Sequence, residues 1–289
     1  MSEQASDAQV VAGRPPLWRP RLPFRPVHLI LIPLALVMVT PLAWMVMTSI
    51  QTPEEARQFP PVLPSGIHWQ NYTDALNAAP FGRFFLNSAL VTGATVLGNL
   101  VLCSLAGYAF ARLRFFGRDV LFVVLLATLM IPFQVVMIPI FLIMRELGLV
   151  DTLGALILPN LVTPFGIFLM RQFFRTLPVE LEEAARIDGC SRLGTLIRII
   201  LPLSGPALAT LAVIAFLWNW NDFLWPLVVI QSQHNMTLQL GLSTFQGAHS
   251  TAWTLLMAGN VLAVLPMLVA FLLAQRQFVN SIASAGIKG

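Results

Sequence analysis

Six long apolar runs alternate with polar segments along the chain, at about 28–50, 86–111, 120–144, 153–170, 205–230 and 254–274. A bilayer core roughly 30 Å thick is crossed by about 20 helical residues, so each run predicts a transmembrane helix. The fold class expected is an all-α membrane protein with six such helices. The first run, Leu29 to Ile50, is longer than the apolar region of a secretory signal and no small-residue cleavage site follows it, so a retained helix is expected. Segment 51–85, rich in proline and aromatic residues including Trp69 and Tyr72, predicts a long loop. Residues 1–27 are rich in proline and arginine without periodicity, and predict a disordered tail. Pro132, Pro139, Pro159, Pro164 and Pro266 fall inside the runs, where they either break helices for gating or shape packing.

Composition sharpens this picture. Of 289 residues, 57% are hydrophobic and 10% charged, with a mean hydropathy of +0.77. A soluble domain carries about a quarter of its residues charged, so an enzyme of the bulk cytosol and a nucleic-acid binder are excluded first. The net charge of +4 reflects topology. With the N-terminus inside, the inner segments hold Arg14, Arg19, Arg21, Arg25, Arg112, Arg114, Arg118, Arg171, Arg175, Arg186, Arg192, Arg198, Arg276 and Lys288, and the outer ones only Arg57, Arg83 and Arg145. Cytoplasmic segments collect basic residues, so both termini are expected in the cytoplasm. The outer segments are then 51–85, a turn near 145–152 and a loop near 231–253. The inner ones include a long loop from Arg171 to about Ser204.

Several chemistries are missing. The single lysine, Lys288, is followed by Gly289, so the phosphate-cradling pattern G-x-x-x-x-G-K-[ST] is absent. If ATP drives this protein, another chain binds it. The cysteines, Cys103 and Cys190, form no disulfide framework or cysteine metal site. None of His28, His68, His234 and His249 lies mid-membrane or has ligand spacing. Asp222 is the only acidic residue well inside a predicted span, which argues against a proton relay. No catalytic residue is expected.

The long inner loop carries the most information. Pro178 suits a first helical position, and Glu180, Glu182 and Glu183 place negative charge at a helix's positive end, so a short helix is expected there. Leu181, Ala184, Ala185 and Asp188 recur at helical spacing as a narrow stripe of mostly small residues. Gly189 stands where a helix ends in a left-handed residue. A second helix is expected from about Ser191 to Leu201, stopped or turned by Pro202. Such a segment is either a solvated connector or an element that docks in another protein's groove.

Glu183-Ala184-Ala185, Gly189, Ile199 and Leu201-Pro202, at these spacings and with Asp188 before the glycine, resemble the EAA loop of ABC importer permeases. Phe85-Leu86-Asn87-Ser88, the stretch Leu105 to Arg112, Trp218-Asn219-Trp220-Asn221-Asp222-Phe223 and the tail Gly286-Ile287-Lys288-Gly289 are similar to the MalG-type branch of carbohydrate permeases, which often has glutamate where this chain has Asp222. The resemblance implies the type I importer permease fold, with a transmembrane domain over 86–275, a coupling loop over 177–202 and a cytoplasmic tail over 276–289. It implies a multi-pass subunit of the bacterial inner membrane, surrounded by lipid. The implied partners are a MalF-like second permease, a pair of ATPase subunits holding ATP and magnesium, and an extracytoplasmic sugar-binding protein. No cofactor is expected on this chain and no nucleic acid. The coupling residues implied are Glu182, Glu183, Ala184, Ala185, Asp188, Gly189, Ile199, Leu201 and Pro202.

The substrate path has two candidate stretches. Ser88, Thr92, Thr95 and Asn99 share one helix face within roughly 60°, suited to helix packing or to ligand contact. Trp218, Asn219, Asn221 and Asp222 offer aromatic faces, amides and a carboxylate, which suit a polyhydroxylated ligand or an interfacial anchor. A di- or oligosaccharide is the substrate expected. Another solute such as glycerol 3-phosphate, a membrane scaffold and an ion-coupled carrier are the alternatives.

Overall fold

The computed structural model describes residues 27–247 and 251–285. Most of the N-terminal tail, residues 248–250 and the terminal Gly286-Ile287-Lys288-Gly289 lie outside the described residues. Every regular element described is helical, apart from one isolated bridge between Gln246 and Thr251. The chain divides into two compact units, Met1–Trp44 and Met45–Gly289. Helix α1 (His28–Ser49) supplies the described helix of the first unit and continues into the second.

The remaining helices are α2 (Gln70–Ala78), α3 (Phe81–Gly98), α4 (Ser104–Arg112), α5 (Arg118–Thr128), α6 (Phe133–Glu146), α7 (Leu153–Ile157), α8 (Pro164–Thr176), α9 (Glu180–Ile187), α10 (Arg192–Thr195), α11 (Leu201–Leu203), α12 (Gly205–Trp220), α13 (Leu224–Val229), α14 (Leu238–Leu242) and α15 (Trp253–Ala285). Among the described residues, four stretches are long and apolar enough to cross a bilayer: His28–Ser49, Phe81–Arg112, Leu153–Thr176 and Trp253–Leu273. Two further pairs qualify only across a bend, α5 with α6 at 102° and Arg192–Leu203 with α12 at 82°. The count reaches six when each bent pair is one crossing.

Breaks are where the structure departs from the apolar runs. The run 120–144 is not one helix: α5 stops at Thr128, and α6 starts after Pro132, whose φ of −59° and ψ of 140° are extended. A proline disfavours the helical region for the residue before it, so the first half ends before Ile131. The run 153–170 is interrupted between Leu158 and Thr163, where Pro159 sits in a 3₁₀ turn, and Pro164 opens α8. The run 205–230 breaks at Asn221–Phe223. The second span begins at Phe81, five residues earlier than its apolar run, and the last helix continues through the expected tail to Ala285.

Segment 51–85 is folded rather than loose. Asn71 in α2 donates to the carbonyls of Ser49 and Gln51, at 2.9 and 2.8 Å. Glu55 accepts from the Ser65 and Thr52 amides, both at 3.0 Å. Hydrogen bonding from Ser65, then Thr52, holds its pKa at about 2.

A second staple joins the turn before α7 to the loop after α13. One carboxylate oxygen of Asp151 accepts from the amides of Gln231 and Ser232 and from the Ser232 hydroxyl, at 3.0, 2.9 and 2.9 Å. These bonds, that from the Ser232 amide foremost, hold Asp151 below the usual carboxylate range. Because the folded value is depressed, the stapling is complete above the ordinary carboxylate pKa of about 3.9 and is lost as pH falls through the lowered value. Asparagine also tolerates the left-handed backbone at this position, where φ is 61°. In Asp151→Asn, hydrogen-exchange protection of the Gln231 and Ser232 amides is therefore expected to drop on the order of tenfold at neutral pH, since charge-assisted bonds are about twice as strong as neutral ones. Protection unchanged by the substitution would count against the staple.

Candidate functional site

Four helix interruptions converge on one cavity of about 430 Å³. They are the π turn Asn99–Cys103 between α3 and α4, the α5–α6 break, the stretch between α7 and α8, and the α12–α13 break. Each supplies lining residues: Asn99, then Leu129 and Phe133, then Asn160, Thr163, Pro164 and Phe165, then Trp218, Asn219 and Asp222, with Ala215 beside them. Non-helical backbone at membrane depth is tolerated where it is buried in protein or lines a cavity.

The polar lining divides into groups that hold the fold and groups left to the cavity. Asn99 is spent on structure. It donates to the carbonyls of Thr95 and Asn160, at 3.0 and 2.7 Å, and accepts from the Thr163 hydroxyl at 2.8 Å. Thr163 also caps α8 through the Gly166 amide at 3.1 Å. Asp222 accepts from the Trp225 amide at 3.3 Å and so helps to start α13. Asn160 and Asn219 donate to the carbonyls of Leu156 and Ala215, at 3.0 and 2.8 Å, and their side-chain oxygens stay available as acceptors.

The three tryptophans of this region separate in the same way. The indoles of Trp220 and Trp225 are buried and donate to the carbonyls of Ala263 and Ala155, at 3.0 and 2.9 Å. Trp218 is 55% exposed, packs edge-on against Phe165 with ring centroids 5.5 Å apart, and makes no such bond. An exposed indole, two amide oxygens and a carboxylate around an aromatic wall can hold a ligand rich in hydroxyls.

The candidate stretches are thus split. Trp218, Asn219, Asp222 and Asn99 line the cavity, whereas Asn221 is exposed elsewhere and donates to the Leu217 carbonyl at 2.8 Å. Ser88, Thr92 and Thr95 are buried and do not line it, and Thr92 instead lines a separate cavity of about 460 Å³ between α3 and α12. Ser88 accepts from the Leu238 amide at 2.8 Å, at the start of α14. Asn160, Thr163 and Phe165 are lining residues that the apolar pattern left unmarked. The signal available for them is Asn160 and Thr163 set between Pro159 and Pro164.

After α8, α9 and α10 form the expected pair of short helices. Gly189 has φ of +81°, and the Cys190 amide reaches back to the Ala185 carbonyl at 2.8 Å, closing α9. Ser191 caps α10 by accepting from the Gly194 amide at 3.1 Å. This second helix passes through a π turn, Leu196–Ile200, includes Pro202 in its last turn and bends only at Ser204. Glu183, Ala184, Asp188, Gly189 and Pro202 are exposed, and Ile199 and Leu201 are half-buried. Ile187 stands out at 87% exposed, with Leu193 at 55%. The small-residue stripe is divided, since Ala185 is buried while Ala184 faces out. Glu182, grouped by sequence with the coupling residues, turns inward and is buried against Arg112 and Tyr108.

Residues 100–284 match the family described as binding-protein-dependent transport system inner membrane component. The chain belongs to that family. Among relatives of this permease, the arabinooligosaccharides transport system permease protein AraQ of Halalkalibacterium halodurans is 41% identical over 212 residues, 73% of this chain and 76% of the relative. The lactose transport system permease protein LacG of Rhizobium radiobacter is 34% identical over 91% of this chain and 96% of its own. The sn-glycerol-3-phosphate transport system permease protein UgpE of Pectobacterium atrosepticum is 37% identical over 79% and 85%. A chain from a bacterial ABC transporter that imports the acidic polysaccharide alginate superposes with a TM-score of 0.77 at 27% identity, covering 86% of this permease and 94% of that chain. The permease is accordingly a multi-pass inner-membrane protein with the ABC importer permease fold.

Proposed function

We propose that this permease forms half of the translocation path of an ATP-driven importer for neutral di- or oligosaccharides. The observation that carries the reading is the cavity where four helix breaks meet, with an unanchored Trp218 beside the free acceptors of Asn160 and Asn219. Relatives named for arabinooligosaccharides and lactose support the same class of solute. A relative named for glycerol 3-phosphate keeps an anionic solute in view. Against it, the lining contains the carboxylate Asp222 and no arginine.

A second, MalF-like permease completes the path, and an extracytoplasmic binding protein delivers the sugar. A pair of cytoplasmic ATPase subunits binds ATP and magnesium, and this chain hydrolyses nothing. The exposed face of α9 and α10, with Glu183, Ala184, Asp188, Ile187 and Leu193, docks into one ATPase subunit. Both termini lie in the cytoplasm, on the side where arginine collects.

With the assembled complex in proteoliposomes and a panel of labelled di- and trisaccharides, Trp218→Ala is expected to raise the uptake KM roughly tenfold, the equivalent of about 1.4 kcal/mol of lost contact. Asn219→Ala should act in the same direction. Asn221→Ala, outside the cavity, should leave KM unchanged. Loss of assembled complex in Trp218→Ala with an unaltered KM would make the tryptophan a packing residue and withdraw the cavity as the sugar site.

A further inference from the structure

The inward turn of Glu182 separates two jobs within three consecutive residues. Glu183 and Ala184 face out, while the Glu182 carboxylate enters the bundle. There one oxygen meets Arg112 Nε at 2.8 Å, with the two side chains 10% and 2% exposed. The other accepts from the Tyr108 hydroxyl at 3.1 Å, and Arg186 lies 3.9 Å from it. Arg112 does more than neutralise this carboxylate. Its Nη2 donates to the carbonyls of Phe174 and Leu177, at 2.7 and 2.6 Å, where α8 ends and the docking segment begins. The Tyr108 ring packs edge-on against Phe174, with centroids 6.1 Å apart. One arginine on α4 therefore holds the end of α8 and the first turn of α9 together.

A buried ion pair adds little net stability compared with an apolar contact, but separating its partners leaves an uncompensated charge. Such a pair resists relative movement more than it adds strength. If α9 shifted alone, Glu182 would be stripped of Arg112 and Tyr108. Motion is easier further along the chain. Of the segment's chain connections to the rest of the bundle, two are loops, residues 113–117 after α4 and the interruption between Leu158 and Thr163 before α8, and two are π turns, Asn99–Cys103 before α4 and Leu196–Ile200 after α10. Turns of this kind concentrate at functional sites within helices.

We propose that Arg112 and Glu182 are positioning residues that make α4, the end of α8 and the docking segment one rigid lever, so that displacement of the docking face is delivered to the second span. The proposal rests on the docking of α9 and α10 to an ATPase, and concerns what happens after docking. The lever's upper end is the π turn at Asn99, so its movement arrives at the wall of the cavity.

Spin-label distances in the complete complex test this, comparing the nucleotide-free state with the ADP–vanadate-trapped state. Native Cys190 is half-exposed and carries one label, and Cys103 is buried. The second label goes on Leu105→Cys of α4 or on Leu90→Cys of α3, positions 41% and 53% exposed. The 190–105 distance is expected to stay constant between states, while the 190–90 distance shifts. In Glu182→Gln, which keeps the shape and removes the charge, the 190–105 distance should become state-dependent while trapping proceeds at the parental level. Tyr108→Phe retains the ring against Phe174 and serves if Glu182→Gln fails to assemble; it should give the same change in smaller measure. A 190–105 distance that shifts in the parent overturns the proposal, as does a Glu182→Gln complex that behaves like the parent. Cys190 labels indifferent to the ATPase, with neither distance changing, would overturn the docking reading itself.

Discussion

Replacing Gly189 by valine is expected to lower uptake roughly five- to thirtyfold while leaving the membrane bundle assembled, and replacement by asparagine is expected to preserve both uptake and assembly. At φ +81° this residue occupies the left-handed region, yet a Cβ built on it meets no atom within 4 Å. The penalty is therefore backbone strain rather than crowding. A non-glycine residue there costs about 1–2 kcal/mol, most for a β-branched one, whereas asparagine visits this conformation readily. The strain is felt at the closing turn of α9, where the Cys190 amide bonds to Ala185 and Ser191 caps α10 two residues after the glycine. Relaxing the turn re-aims α10 relative to α9 and would spoil the proposed docking face. The order asparagine, alanine, valine, from mildest to most severe, is diagnostic. It should be measured both as uptake and as ATPase retained on washed membranes. A series that instead followed side-chain volume, with asparagine worse than alanine, would remove strain as the cause.

Gly107 should behave in the opposite way, and its effect should be larger. It lies where α4 packs tightly on α8, and an added Cβ would stand 2.8 Å from the Met170 Cβ and 3.0 Å from the Arg171 backbone nitrogen. Backbone cannot swing aside as a side chain can, so the helices must part. Even a methyl group forced into a packed interior costs typically about 1–3 kcal/mol. Gly107→Ala is thus expected to lower the yield of monodisperse protein in detergent, and Gly107→Leu to abolish it. Parting α4 from α8 also carries Tyr108 and Arg112 away from Phe174 and Glu182. Uptake should therefore fall even in the fraction of Gly107→Ala that still assembles. Wild-type yield and uptake for Gly107→Leu would show that the two helices are not held at this separation.

Much of this architecture is legible in the order of residues. Apolar runs mark the spans because a bilayer imposes length and hydrophobicity together. Gly189 and Ser191 announce their turn and cap because left-handed backbone and orphan amides demand particular residue types. The breaks are harder to read. Pro132 and Pro164 are visible as residues, but whether a proline bends a helix or ends it depends on what its neighbours pack against. Pro139, by contrast, lies within α6. Orientation about a helix axis is least legible of all. Glu182 and Glu183 are chemically alike and adjacent, and only the approach of Arg112, 70 positions earlier, sends one inward. Trp218, Trp220 and Trp225 are likewise alike as residues, and only their surroundings bury two of them against a carbonyl and leave the third exposed.

Asp222 both lines the cavity and helps to start α13. A residue with two duties is a poor site for acquiring a new specificity, because any change that suits another solute also weakens a helix. Trp218 carries no such bond, and Asn160 and Asn219 use only their amide NH2 groups on carbonyls within their own turns of helix, which leaves their oxygens to the cavity. Divergence of substrate choice on this scaffold, by descent or by directed selection, should therefore accumulate on those three, with the carboxylate held back as a fixed point around which the remainder of the wall is rewritten.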